Sequence, residues 1–396
     1  MSDILDRLKA LGVTKGIPEQ LEKKPKKAVD QMDSLLKTFP HGIVVENDCG
    51  YAFINRLSQP LTQEHGIVNM AADLLPSELF DSIMEMVIPR KTDTLAFDTE
   101  TSGLSSGSAG FIFMLGLGYF EDDQYTVDQL ILPDLSSENA FLRQAELIFS
   151  RYPILLSYNG KSFDVPMLQS RLHFQMLPDF TKNIQHCDLL KLTRRYWKTA
   201  LGSVPLSNIE HYILKLQRGD EEVPGYLAPE LYRDFLRNGD AEYIAGVAYH
   251  NQIDVVSLSA FLLYLNDLTI RAEKEPSLWK DNSVSEAALI RHNIDCLSGH
   301  VISEIDSFSV RDKKAMAVKL LKRGQREKAL GIYQALSERG DFDSAEKLMN
   351  IYLKEKNKDQ FEYYRNVAIE LLEKDETVGI WTKTEKITRI KKIVIK

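Results

Sequence analysis

Asp98 and Glu100 stand two residues apart in the run Phe97-Asp98-Thr99-Glu100, which closes the apolar stretch Leu95-Ala96-Phe97. In a β-strand, residues two apart project from the same face. The run therefore predicts two carboxylates side by side at a strand end. Like charges that close repel, and a bound divalent cation relieves the repulsion. Such a pair is a common start for a two-metal site that cleaves phosphodiester bonds. Alone the pattern is weak, because exposed strands carry it by chance.

Two further segments place acids where they could join that pair. Residues 154–157 (Ile-Leu-Leu-Ser) read as a buried strand, and Asn159-Gly160 is turn chemistry. From Phe163 onward, apolar residues at 163, 165, 167, 168 and 172 suit a helix packed on a sheet. Asp164 then falls near the start of that helix, where a carboxylate is favoured whether or not it does chemistry. Residues 241–265 are a long helical pattern in which His250 and Asp254 lie four apart on one face. Asp254 can hold a metal while His250, which titrates near neutrality, reaches a water on it. A surface His–Asp pair is the plainer alternative.

Taken together, the segments Phe97–Leu104, Ser157–Leu168 and His250–Leu258 resemble the three motifs of the DEDD superfamily of 3′–5′ exonucleases, in order and in spacing. The nearer resemblance is to the YprB-like branch of the mitomycin repair factor B type, which joins such a domain to C-terminal tetratricopeptide-like helices. The resemblance covers residues 91–270 well and the tail loosely. It implies a ribonuclease-H-like α/β fold: a mixed sheet flanked by helices, followed by an all-helical repeat-like domain.

The same resemblance implies that Asp98, Glu100, Asp164 and Asp254 are ligands of two Mg²⁺ or Mn²⁺ ions and that His250 is the general base. Asp98 would bridge both ions, and Glu100 would hold the water-activating one. Oxygen donors suit these hard cations. One departure stands out. The superfamily divides by a histidine five residues before the last Asp or a tyrosine four before it. Here His250 is four before Asp254 and Tyr249 five before. Four residues turn only about 40° past a full helical circle, against about 140° for five, which favours His250 and leaves Tyr249 as the alternative. Thr99, Asn159, Arg194 and Arg195 are candidate substrate contacts. The last two belong to Lys191–Lys198, where cations mix with Tyr196 and Trp197 as in grips on single strands. An amphipathic helix with both aromatics in the core is the plainer reading.

The expected domains are an N-terminal extension over 1–90 with helices and a β-hairpin at 42–56, the exonuclease domain over 91–275, and helices over 285–396. Strands are expected at 94–98, 110–120, 125–132, 154–157 and 184–188, and tail helices at 315–321, 327–337, 343–355 and 360–372. The loop Arg218–Tyr226 would border the substrate channel. Cys49, Cys187 and Cys296 are far apart and form no C-x-x-C pair, so nothing suggests zinc. Few cysteines, no export signal and no run of 18 apolar residues point to the cytoplasm and to no membrane span.

The net charge of −8 disfavours a polyanion partner at first sight. Basic residues are clustered, however. Residues 23–27 read Lys-Lys-Pro-Lys-Lys, 311–328 hold eight Lys or Arg against two acids, and 383–396 hold six against one. Local patches govern contact with phosphate backbones. The expected activity is thus a metal-dependent 3′–5′ exodeoxyribonuclease in DNA repair. The partners would be a DNA single strand or duplex end and, through the tail, a protein such as a helicase. A catalytically degenerate recruiting module and an exoribonuclease of the same chemistry are the alternatives. All four carboxylates and the histidine are present, which argues against decay.

Overall fold

Strands rich in Ile, Leu, Phe and Tyr form because such side chains pack well on a pleated, buried surface. The computed structural model describes residues 31–103, 110–219, 223–274, 284 and 308–395. The chain divides into two compact units, Met1–Arg271 and Ala272–Lys396. In the first, α1 (Gln31–Thr38) precedes a hairpin of β1 (Gly42–Asn47) and β2 (Gly50–Pro60). A two-stranded ladder of β3 (Glu64–His65) and β4 (Val68–Asn69) and helix α2 (Glu78–Met84) follow. Then come β5 (Thr94–Thr101), β6 (Ile112–Glu121), β7 (Gln124–Ile131), α3 (Glu138–Phe149), β8 (Ile154–Ser157), α4 (Asp164–Phe174) and β9 (Gln185–Asp188). Seven strands make one sheet in the order β1-β2-β7-β6-β5-β8-β9. β8 lies parallel to both β5 and β9, and the other pairs are antiparallel.

The hairpin expected in the N-terminal extension is therefore part of the main sheet, since β2 pairs with β7 from Phe53↔Ile131 to Pro60↔Gln124. Residues 1–30, expected to hold a helix and a basic loop, lie outside the described residues.

Alternation along the central strands separates two faces. On one face Phe97 meets Phe149 of α3 edge-on. Phe113 stacks at 4.2 Å on Tyr232 of α8 (Ala228–Asn238). On the other face, Asp98 pairs in register with Gly116, and α9 (Glu242–Lys274) packs there. In the chain, α5 (Leu189–Tyr196), α6 (Lys198–Leu201) and α7 (Leu206–Ile209) precede α8. Tyr196 and Trp197 are both buried, the core arrangement that the sequence offered as the plainer one. α9 is long and apolar enough to cross a membrane by length and composition, but 72% of its most apolar window is buried within the protein. It is a core helix.

The second unit contains α10 (Val310–Lys322), α11 (Arg326–Glu338), α12 (Phe342–Lys354), α13 (Lys358–Lys374) and α14 (Ile380–Lys392). The first four start sixteen residues apart. Gly324 and Gly340, at φ +75° and +95°, end α10 and α11, where the left-handed backbone suits glycine. Ala329 and Ala345 are fully buried, so neighbouring helices approach closely there. Helix α14 lies beyond the four segments expected from the sequence. Its single buried residue is Ile390, too weak an apolar period to read.

Candidate active site

The site begins with a glycine. A side chain on Gly116 would collide with the Asn251 carboxamide, and one on Gly118 with Val255 and the Tyr125 hydroxyl. Their absence lets α9 lie close on β6 and brings its polar residues to the strand carrying Asp98. Tyr125 donates to the Val255 carbonyl at 3.2 Å and meets Ser259 Oγ at 2.8 Å, which fixes the rotation of the helix.

A buried amide chain ends on Asp98. Asn55 Nδ2 donates to Gln129 Oε1 (2.8 Å), Gln129 Nε2 to Asn251 Oδ1 (3.1 Å), and Asn251 Nδ2 to Asp98 Oδ2 (2.9 Å). Gln129 also donates to the Ala248 carbonyl at 2.6 Å. The last donor, Asn251, bonds the carboxylate and favours its charged form. Sequence reasoning missed these amides. Their only signal is polar residues inside otherwise apolar strand patterns.

Asp164 is the first residue of α4. The Thr99 hydroxyl donates to Asp164 Oδ1, so this expected substrate contact is bonded to a carboxylate of the cluster. The buried pair Arg171–Glu138, with both bonds at 2.6 Å, ties α4 to α3. The preceding turn is held by Asp188, which accepts from the backbone N–H of Asn159 (2.8 Å), Lys161 (3.1 Å) and Leu190 (3.1 Å). That clamp stabilises Asn159 at φ +70°, a conformation asparagine tolerates better than most residues.

The electrostatics bind the acids together. Burial, then the charges of Asp254, Asp164 and Glu100, push the Asp98 carboxyl well above the usual range. Burial raises Glu100 to about 8, opposed by His250 and aided by Asp254 and Asp164. Burial raises Asp164 to about 6 against the Thr99 hydrogen bond. The structure thus brings Asp98, Glu100, Asp164, Asp254 and His250 into one electrostatic cluster.

Arg218, which sequence reasoning placed only at the edge of a loop, enters that cluster. It grips Glu210 with two bonds of 2.7 Å and ion-pairs with Asp254. Its guanidinium also donates to His250 Nδ1 at 3.1 Å. Glu210 is buried and accepts from Ser257 at 2.6 Å. His250 Nε2 lies 3.6 Å from Asp254 Oδ2, and a Cβ on Gly225 would sit 3.3 Å from that nitrogen. The loop does border the site, with residues 220–222 outside the described residues. The Tyr249 hydroxyl accepts from Gly219 N at 3.1 Å.

Among the described residues, no three His, Cys, Asp or Glu side chains converge closely enough to hold a metal ion. Arg218 and Thr99 occupy oxygens of Asp254 and Asp164 instead. The donor chemistry nevertheless fits a divalent cation. Buried carboxylates that raise one another's proton affinity are relieved by positive charge, and all four are hard oxygen donors.

Arg194 and Arg195 part company. Arg195 and Lys191, one helical turn apart, both bond Glu85 at 2.7 Å. Arg194 instead lines a cavity with Asn159.

Residues 95–266 match the family model of the RNase_H superfamily. The fold there is ribonuclease-H-like. The mixed seven-stranded sheet, to which this stretch gives β5 to β9, and the flanking helices are those of the expected fold. Over 304 residues the chain is 29% identical to the protein YprB of Bacillus subtilis (strain 168), spanning 72% of this chain and 71% of that one. A family B DNA polymerase from the archaeon Pyrobaculum calidifontis aligns with a TM-score of 0.34 and 16% identity, over 58% of this chain and 29% of the polymerase.

Proposed function

We propose that this protein is a metal-dependent 3′–5′ exonuclease that hydrolyses DNA in repair. The carrying observation is the cluster of four carboxylates, at least two with raised proton affinity, placed beside a histidine on a ribonuclease-H-like sheet. Asp98, Glu100, Asp164 and Asp254 would hold two Mg²⁺ or Mn²⁺ ions. When bound, such ions activate a water and neutralise the leaving oxygen.

The chain's own groups do the rest. The amide chain through Asn251 orients Asp98. Thr99 orients Asp164. His250 takes the proton of the attacking water at Nε2. An arginine only donates, so its contact with Nδ1 leaves the ring hydrogen on Nε2. Proton uptake at Nε2 therefore requires Arg218 to withdraw from Nδ1. The sixteen-residue spacing of α10 to α13 supports tetratricopeptide-like pairing, the kind of helical surface that takes a protein partner.

The test is a 5′-labelled single-stranded or duplex DNA incubated with Mg²⁺, Mn²⁺ or chelator. Wild type should give a ladder shortening from the 3′ end, lost in chelator. Asp98→Ala and Asp254→Asn should each lose at least about a thousandfold in rate, as expected when a group essential to one catalytic unit is removed. Matching RNA strands decide the sugar preference. Unchanged cleavage by either variant would refute the site.

A further inference from the structure

One cavity of about 500 Å³ opens beside the cluster, with Tyr158 and Asn159 in one wall and Arg194, Lys198, Ser203 and Pro205 around the rest. The chain links it to the acids: Asn159 lines the cavity, and a Cβ on the next residue, Gly160, would stand 3.5 Å from Asp164 Oδ2. Its walls are fixed. Tyr158 Oη donates to the Val204 carbonyl at 2.5 Å and meets Thr193 Oγ1 at 3.0 Å. Asn159 is held by Asp188.

The four cations of this stretch divide by helix face. Lys191 and Arg195, four apart, are neutralised by Glu85. Arg194 and Lys198, also four apart, are exposed at the cavity and have no acid partner among the described residues. Two uncompensated cations, a carboxamide and an exposed rim of small residues (Gly202, Ser203) match a phosphodiester. The apolar part of the lining, from Leu190, Val204, Pro205 and Leu206, suits the sugar between two phosphates.

We infer that this cavity binds the sugar–phosphate backbone of the substrate strand next to the nucleotide being removed, with Arg194 and Lys198 on its phosphates. The inference rests on the nuclease reading for its substrate, but its test does not depend on cleavage. Full-length protein in chelator is titrated into fluorescein-labelled oligo(dT), and anisotropy is read across a KCl series. Arg194→Gln/Lys198→Gln should bind about tenfold more weakly, and the log–log salt slope should shrink by about 1.4 for two lost single-strand contacts. Lys191→Gln/Arg195→Gln should bind within about twofold of wild type. Arg194→Lys/Lys198→Arg should restore binding, which excludes a folding defect.

Equal binding by the Gln variant and wild type, equal losses in both Gln variants, or no binding by wild type would each overturn the assignment. Unlabelled strand should displace the label, and dTMP at the same nucleotide concentration should not. Equal displacement by dTMP would assign the cavity to a free mononucleotide and overturn the strand reading. Protein that binds in this pattern yet never cleaves would keep the cavity and lose the nuclease reading.

Discussion

Glu100 carries the most direct consequence of burying acids together. Its carboxyl ordinarily titrates at 4.5 and here at about 8, first through burial and then through Asp254 and Asp164. The folded state therefore holds a proton that the unfolded state releases between these values. Stability falls as pH rises through that window, because the native state binds more protons there. Asp98 and Asp164 shift in the same direction. In chelator, the thermal midpoint should drop by several degrees between pH 5 and pH 8. Glu100→Gln should flatten that dependence, and Mn²⁺ should raise the midpoint more at pH 8 than at pH 5. A midpoint that climbs with pH in chelator would contradict the cluster.

The base is a second matter at residue scale. His250 faces Asp254 and acts electrostatically on Glu100, whereas Tyr249 bonds the backbone of Gly219. His250→Ala should reduce cleavage by about 10²- to 10⁴-fold, the span of general-base contributions. Tyr249→Phe should stay within about threefold, since only one loop hydrogen bond is lost. Rates on a labelled oligonucleotide decide between them. The acids and the histidine were legible because each sits in a local pattern of strand, turn or helix. Arg218 was not: its partners Asp254 and His250 lie 36 and 32 residues away, and only the folded loop delivers it.

At the scale of elements, the site depends on how close α9 lies to β6. Gly116→Ala would drive a methyl into the Asn251 carboxamide and cut the amide chain that ends on Asp98. Overpacking of this kind costs about 1–3 kcal/mol. The urea midpoint should fall with an unchanged slope, and cleavage should fall with it. Adding Asn251→Ala makes room for the methyl. That double variant should recover the midpoint without recovering cleavage, because Asp98 still lacks its donor. The strands and the helix over 241–265 were readable from period and apolar content. The glycine contact was not, since an isolated strand glycine shows only that something comes near. The hairpin was readable as a hairpin. Its place at the sheet edge, with Asn55 reaching Gln129, depends on pairing across 74 residues that no local signal reports.

For the whole molecule, the net charge of −8 and the local arrangement of cations make opposite predictions about a polyanionic substrate. Some of the basic residues that drew attention in the sequence are neutralised. Lys314 pairs with Asp341 and Asp343, Arg326 with Glu355, and Arg389 with Glu346. Arg194 and Lys198 are not. If the overall charge governed encounter, added salt would screen a repulsion and speed the reaction. If a few uncompensated cations govern it, each phosphate contact releases counterions, and binding weakens as salt rises. With the two contacts of Arg194 and Lys198, kcat/KM on a single strand should fall by about sevenfold between 50 and 200 mM KCl, at a slope of about −0.7 per contact. That result would place substrate capture in the arrangement of a handful of side chains rather than in the composition of the chain. A rate that rises with salt would return the argument to the net charge.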